Sequence, residues 1–92
     1  MHIRQHVHIT WRMKKKVYIA QRSRLVSLLR EIRIEASLTQ MEVAERIERD
    51  QTFVSKYESG QRRLDVLELR EICQSIGITL EEFVTRLEKA LK

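Results

Sequence analysis

Apolar residues recur at helical spacing in two long stretches of the chain. Between residues 25 and 36 they fall at i, i+3, i+4, i+7 and i+11, which lines one side of a helix of about three turns. These positions are Leu25, Leu28, Leu29, Ile32 and Ala36. The same spacing returns near the C-terminus at Leu80, Phe83, Val84, Leu87 and Leu91. We therefore expect a first helix ending near residue 36 and a last helix from about residue 80.

Capping residues divide the stretch between these two helices into three shorter helices. Each predicted start has a side chain whose oxygen can accept hydrogen bonds from the free N–H groups of a first helical turn. The predicted caps are Thr39, Asp50, Asp65 and Thr79. Both threonines are followed three residues later by Glu, which is the capping-box pattern. Gly60 breaks the chain after the third helix, and Gly77 suits the left-handed residue after the fourth.

The first twelve residues follow a different pattern. Apolar and polar residues alternate there, with the apolar positions at Ile3, Val7, Ile9 and Trp11, and a period of two indicates a strand. A lone strand is only marginally stable, so it must pair with a second copy, cover the helical body or remain disordered. We therefore divide the chain into an N-terminal arm, residues 1–24, which includes the predicted β-strand, and an all-α body of five helices, residues 25–92.

The positive charge of the chain lies in the arm. Lys and Arg number 18 against 13 Asp and Glu, for a formal net charge of +5. Residues 1–24 hold seven of the basic side chains and no acidic one; the remaining 11 basic and 13 acidic groups give the body a net charge of −2. Within the body, residues 49–63 carry a net charge of +2. A polyanion would bind most favourably there.

Length and composition exclude several classes of protein. A chain of 92 residues provides one small domain, and a single cysteine, Cys73, cannot close an intrachain disulfide. No apolar run reaches the roughly 20 residues of a membrane helix, so we expect a cytoplasmic, nucleoid-associated protein. Neither a glycine-rich phosphate loop nor a catalytic triad is present, so we expect no enzyme and no cofactor. His2, His6 and His8 lack further ligands nearby, so we expect no metal site.

The second and third predicted helices, joined by residues 47–50, have the spacing of a helix-turn-helix, whose second helix lies in the DNA major groove. Ala44 must be small because the two helices cross closely there, and Ile47 and Val54 fill the space between them. The outer face of the third helix carries Gln51, Thr52, Ser55 and Lys56. Gln can bond adenine, Lys can donate to guanine, and Thr offers a hydroxyl and a methyl group, so these side chains can read base edges.

These residues resemble the Cro/CI-type (XRE) helix-turn-helix family of phage repressors and small bacterial regulators. The resemblance covers about residues 25–88, and its matching segments are 29–33, 38–44, 51–63, 67–69 and 76–78. It implies a compact lambda-repressor-like domain in which Gln51, Thr52, Ser55 and Lys56 read bases. It also implies that Gln40 contacts a phosphate and buttresses Gln51, and that Arg62 and Arg63 grip phosphates. We add Arg49, from the same positive region, to the expected backbone contacts.

Three residues do not fit this scheme simply. Glu48 stands where the family commonly has glycine, so either it takes a positive φ at a cost of about 1 kcal/mol or the turn is built differently. Glu45 and Glu48 also bring negative charge near the expected DNA side. Phe53 adjoins the reading face, and we interpret it as an exposed contact to DNA or a partner rather than as a core residue.

We therefore expect a sequence-specific double-stranded DNA-binding transcriptional regulator, a repressor acting as a homodimer on a palindromic operator. The expected dimer contacts are Phe83, Leu87 and Leu91, or the N-terminal strand. An antitoxin that binds a toxin protein and represses its own operon remains an alternative, as does an interaction module that has lost DNA reading. A polymerase subunit is another candidate partner. Residues 14–16, all lysine, are either a solvated tail or a contact to phosphates or the minor groove.

Overall fold

The computed structural model describes the backbone of residues 11–92 and the side chains of residues 14–92. Five α-helices follow one another in this part of the chain, with no strand between them. They are α1 (Trp11–Glu35), α2 (Gln40–Arg46), α3 (Gln51–Glu58), α4 (Val66–Ser75) and α5 (Leu80–Ala90). The predicted all-α architecture of five helices is therefore confirmed.

The first helix is longer than its apolar spacing predicts. α1 begins at Trp11 rather than near Leu25, so residues 11–24 of the predicted arm belong to the same helix as residues 25–35. Residues 13–24 contain no Gly or Pro and several strong helix formers, so nothing in the sequence stops the helix there. Trp11 and Arg12 are helical, which corrects the end of the predicted strand. The other strand positions, and His2, His6 and His8, lie outside the described residues.

The predicted caps stand at the starts of the four shorter helices, and three of them make capping hydrogen bonds. Thr39, Asp65 and Thr79 each accept a hydrogen bond from the N–H three residues on, and each completes a capping box with a glutamate. Asp50 stands at the N-cap of α3, but its side chain makes no capping hydrogen bond. Gly77 follows α4 with a φ of +88°, the left-handed conformation predicted for it.

One apolar core joins the helices. Its buried residues come from all five: Val26, Leu28, Leu29, Ile32, Val43, Ala44, Ile47, Val54, Tyr57, Ile72, Cys73, Ile76, Ile78 and Phe83. Cys73 is a buried small hydrophobe as expected, and its burial raises the pKa of the thiol to about 11. Phe83 is 0% exposed because its side chain is buried in the core of its own chain. The prediction that it is a dimer contact is therefore wrong. Leu87 and Leu91 are half-buried.

None of the helices in the described part of the chain combines the length and the apolar character needed to cross a membrane.

Candidate nucleic-acid interface

The second and third helices pack against each other as a helix-turn-helix. Val43 and Ala44 of α2 and Val54 of α3 are buried, and Ile47 closes the angle between the two helices. Ala44 is 1% exposed, which agrees with the small residue required at the crossing. The packing holds α3 in one orientation relative to the rest of the domain.

In the turn between α2 and α3, a residue other than glycine takes the left-handed backbone conformation. Glu48 has a φ of +57°, so this residue takes the positive φ, and the turn is not built differently to avoid it. The Arg49 N–H donates to the Ala44 carbonyl at 2.9 Å, which closes the end of α2. The end of α1 is built in the same way, because Ser37 has a φ of +59° and the Leu38 N–H donates to the Arg33 carbonyl.

Glycine at position 48 should stabilise the protein. A left-handed L-residue costs about 1–2 kcal/mol, and the extra freedom of glycine in the unfolded chain returns roughly 0.5–1 kcal/mol of that. We expect Glu48→Gly to raise the free energy of unfolding by about 0.5–1 kcal/mol in urea titrations. Glu45→Gly, inside α2, is the matched control and should lower it by about 1 kcal/mol. Equal destabilisation by both variants would contradict the strain at Glu48.

Three of the four predicted base-reading side chains are exposed on α3. Gln51, Thr52 and Lys56 are accessible, whereas Ser55 is half-buried and its Oγ donates to the Thr52 carbonyl at 3.2 Å. Their positions along the helix span an arc of about 140°. The structure therefore brings the predicted residues onto one polar face of α3, with Ser55 partly engaged by the backbone.

A chain of hydrogen bonds supports this face from behind. Gln51 Nε2 donates to Gln40 Oε1 at 3.4 Å, and Gln40 Nε2 donates to Glu58 Oε1 at 3.0 Å. Glu58 is held in turn by Arg33 through two bonds of 2.7 and 3.0 Å, and Arg33 also donates to the Leu38 carbonyl at 2.8 Å. The contact of Gln40 with Gln51 thus agrees with the resemblance, and it is anchored in α1.

The ion pair that anchors this chain is largely shielded from solvent. The side chains of Arg33 and Glu58 are 11% and 4% exposed. The hydrogen bonds to Glu58 raise the pKa of the Arg33 guanidinium above its ordinary value. In this shielded position the guanidinium and the carboxylate depend on each other for compensation.

A second cluster forms around Phe53 beside the reading face. The guanidinium carbons of Arg49 and Arg62 lie 4.3 and 5.1 Å from the centroid of the Phe53 ring, in cation–π geometry. Phe53 is half-buried and packs against the core, edge-on to Tyr57 at 5.5 Å. The interpretation of Phe53 as an exposed contact is therefore wrong, because the two arginine side chains cover it and the core supports it.

Glu68 links both arginines of this cluster to α4. Its carboxylate accepts from Arg62 at 2.7 and 3.2 Å and from Arg49 at 3.5 Å. The bonds from Arg62 lower the pKa of Glu68. Two predicted backbone contacts, Arg49 and Arg62, are thus brought together and partly neutralised. Arg63 is exposed and lies outside the cluster.

The sequence reasoning missed the supporting residues Arg33, Glu58 and Glu68. Arg33 and Glu58 each follow a core residue, Ile32 and Tyr57, and a charged residue beside a core position is the signal that could have pointed to a shielded ion pair. Glu45 and Glu48 are both exposed. Within the described side chains, no three acidic, histidine or cysteine residues are grouped as metal ligands.

Comparison with known proteins agrees with this geometry. A family model described as helix-turn-helix matches residues 29–83. Control protein C.MunI of Mycoplasma sp is 36% identical over 62 residues, which cover 66% of this chain and 84% of that protein. The XRE-family like protein from Pseudomonas syringae pv. tomato str. DC3000 superposes with a TM-score of 0.79 at 40% identity, over 84% of this chain and 94% of that one.

A restriction-modification controller protein has the same fold. Wild-type C.Esp1396I superposes with a TM-score of 0.72 at 27% identity, covering 78% of this chain and 96% of that chain. The C.Esp1396I tetramer in complex with its natural 35 base-pair operator gives a TM-score of 0.72 at 25% identity, over 77% of this chain and 93% of that one.

Proposed function

Because this chain belongs to the XRE family of helix-turn-helix proteins, we propose that it is a sequence-specific regulator of transcription that binds double-stranded operator DNA. The relatives it resembles are described as control or controller proteins, which supports regulation rather than catalysis. C.Esp1396I is itself bound to operator DNA in one solved structure. In this proposal the protein regulates transcription by occupying the operator.

The observation that carries this proposal is the polar face of α3. Gln51, Thr52 and Lys56 project from a helix whose opposite side is locked into the core by Val54 and Tyr57. A recognition helix must be rigid and must present donors and acceptors to base edges, and the anchored, polar-faced α3 supports both requirements. Gln51 is further oriented by its bond to Gln40.

The basic residues at either end of α3 suit the sugar-phosphate backbone. Arg49 and Arg62 are held on the Phe53 ring with their side chains 39% and 42% exposed, so they are positioned and still accessible. Arg63 is exposed beside them, and Gln40 lies at the start of α2. Contacts of this kind fix the register of a protein on DNA without reading its sequence.

We further propose that the chain acts as a homodimer on a palindromic operator. One recognition helix reads only a few base pairs, and two half-sites about 34 Å apart multiply the discrimination. Leu87 and Leu91 remain the candidate contacts on α5. They line an apolar cleft of about 260 Å³ together with Tyr18 and Leu25 of α1, so this part of the surface is only half covered by its own chain.

Selection of bound sequences from a pool of random duplexes tests the proposal. We expect a single enriched motif made of two inverted half-sites separated by about one helical turn. An enriched motif without symmetry would refute the dimer, and no enrichment would refute sequence-specific binding.

Substitutions should separate base-reading residues from backbone contacts. Gln51→Ala or Lys56→Ala should cost about 1–3 kcal/mol on the selected operator and relax its specificity. Arg63→Ala should weaken binding to all duplexes alike, because a phosphate contact carries no sequence information. The measurement is fluorescence anisotropy on matched and scrambled duplexes. Identical ratios between the two duplexes for all three variants would show that the roles are assigned wrongly.

A further inference from the structure

The first half of α1 is a basic surface that the proposed interface does not use. Residues 11–24 include Lys14, Lys15, Lys16, Arg22 and Arg24 and no acidic residue. Arg24 pairs with Glu31 at 2.9 Å, but within residues 14–92 no carboxylate pairs with Lys14 or Lys16. All three lysines are exposed. A surplus of positive charge therefore remains on this half of the helix.

Lys14, in the first turn of α1, stands where a helix favours the opposite charge. The first turns of a helix favour acidic residues because the macrodipole is positive at that end, and α1 has no acidic residue in its first turn. Three neighbouring lysines also repel one another. Residues that oppose the local electrostatics in this way are typical of functional sites rather than of structural ones.

The basic half of α1 lies next to the segment that follows α3. Arg22 Nη2 donates to the Gly60 carbonyl at 2.8 Å, and Gly60 stands two residues before Arg62. Ile19 and Ser23 border a shallow depression shared with Ser59 and Gly60. α1 therefore passes alongside the turn that leads into the proposed phosphate contacts.

The lysines extend the positive surface outward from this point. At 100° per residue, residues 14–16 cover about 200° of the helix circumference, and Lys15 lies within about 20° of the Arg22 direction. Lys14 is about 12 Å from Arg22 along the helix axis. The basic face is thus centred on the side of α1 that meets the Gly60 turn, and it reaches beyond that turn.

We propose that this face is a second contact to the DNA backbone, in which Lys14 and Lys16 bind phosphates flanking the base pairs that α3 reads. The inference rests on the proposed function and extends the length of DNA covered by each subunit. Its chemistry is that of a polyanion with regularly spaced phosphates, to which lysines bind as point charges with release of counterions.

The experiment compares salt dependence on two duplexes that share the selected operator. One is trimmed at the operator edges, and the other carries about 10 additional base pairs on each side, one helical turn. Binding is measured between about 50 and 200 mM salt for the wild type and for K14A/K16A. The control is K89A/K92A, which removes two charges from the C-terminal end of the chain, beyond the proposed interface.

We expect the wild type to show a steeper salt dependence on the long duplex than on the short one. Each lost phosphate contact lowers the slope of log K against log salt by about 0.9, and the proposed dimer carries two copies of each lysine, so K14A/K16A should lose about 2–4 of slope on the long duplex only. K89A/K92A should keep the wild-type slope on both. Circular dichroism checks that both variants retain their helix content and melting temperature.

Three results would overturn the inference. A K14A/K16A slope equal to that of the wild type on the long duplex would leave the lysines without a DNA contact and point to an acidic protein partner instead. Equal losses in K14A/K16A and K89A/K92A would reduce the effect to net charge. In both cases the wild type still binds its operator, so the proposed function stands; a wild type that binds neither duplex refutes that function and the inference together.

Discussion

Replacing Arg33 by methionine should lower the free energy of unfolding by about 3–5 kcal/mol, the usual cost of removing one partner from a buried ion pair. Methionine keeps most of the apolar volume of the arginine but leaves the Glu58 carboxylate, 4% exposed, without its two charged hydrogen bonds. Urea titration followed by circular dichroism measures the change. The whole free energy of unfolding of such a domain is roughly 5–15 kcal/mol, so the expected loss is a large part of it.

The matched control is Arg24→Met. Arg24 lies on the same helix and forms an ion pair with Glu31 at 2.9 Å, but the two side chains are 38% and 50% exposed. Exposed pairs contribute about 0–1 kcal/mol, so this variant should remain close to the wild type. Similar losses from both substitutions would show that shielding of the Arg33 pair has no energetic consequence.

The Arg33 pair also connects stability to recognition. Glu58 accepts hydrogen bonds from Arg33 and from Gln40, and Gln40 in turn holds Gln51. A domain that loses Arg33 therefore loses the support of Gln51, a proposed base-reading side chain, as well as part of its stability. Such a supporting layer behind the contacting residues holds them in the productive geometry.

Replacing Phe83 by alanine should lower the free energy of unfolding by about 3–5 kcal/mol, because the ring is wholly buried and its removal leaves a cavity. The loss should be present even at protein concentrations where the chain is monomeric, since every contact of the ring lies within its own chain. Val84→Ala is the control: Val84 neighbours Phe83 on α5 but is 44% exposed, so it should cost less than about 1 kcal/mol.

The opposite outcome for Phe83 would be informative. If Phe83→Ala folded with wild-type stability and only weakened self-association in sedimentation equilibrium, the ring would face a second subunit rather than the core. Leu91, which follows α5 and is half-buried beside Tyr18 and Leu25, is the residue for which that result is expected.

Local features of the sequence were sufficient to predict most of the fold. A capping box depends on residues three positions apart, and a left-handed glycine depends on one residue, so Thr39, Thr79 and Gly77 could be interpreted without any tertiary information. The apolar spacing located the buried side of α1 at Leu28, Leu29 and Ile32 for the same reason, whereas Val84, within the spacing of α5, is 44% exposed. The position of α3 and its polar face followed from these elements.

The apolar period alone predicted neither the full length of α1 nor the degree to which α5 is covered. The apolar stripe at residues 25–36 marks where α1 meets the core, but the helix continues to Trp11 because no residue before Leu25 breaks it. Phe83 and Leu87 share one apolar spacing, yet only Phe83 is wholly buried. The rest of the domain covers α5 more fully at Phe83 than at Leu87. Periodicity identifies a face and does not say how much of it is covered.

Hydrophobic period and capping chemistry act within a few residues, and they predicted an all-α domain with a helix-turn-helix and a polar face on α3. The packing of distant segments decided which side chains pair within the chain. Arg33 donates to Glu58, 25 residues away, and Arg49 donates to Glu68, 19 residues away. Charged and aromatic side chains select partners by distance in space, which a linear pattern does not contain. The ion pair behind Gln51 and the arginine-covered Phe53 therefore emerged only when the five helices were assembled.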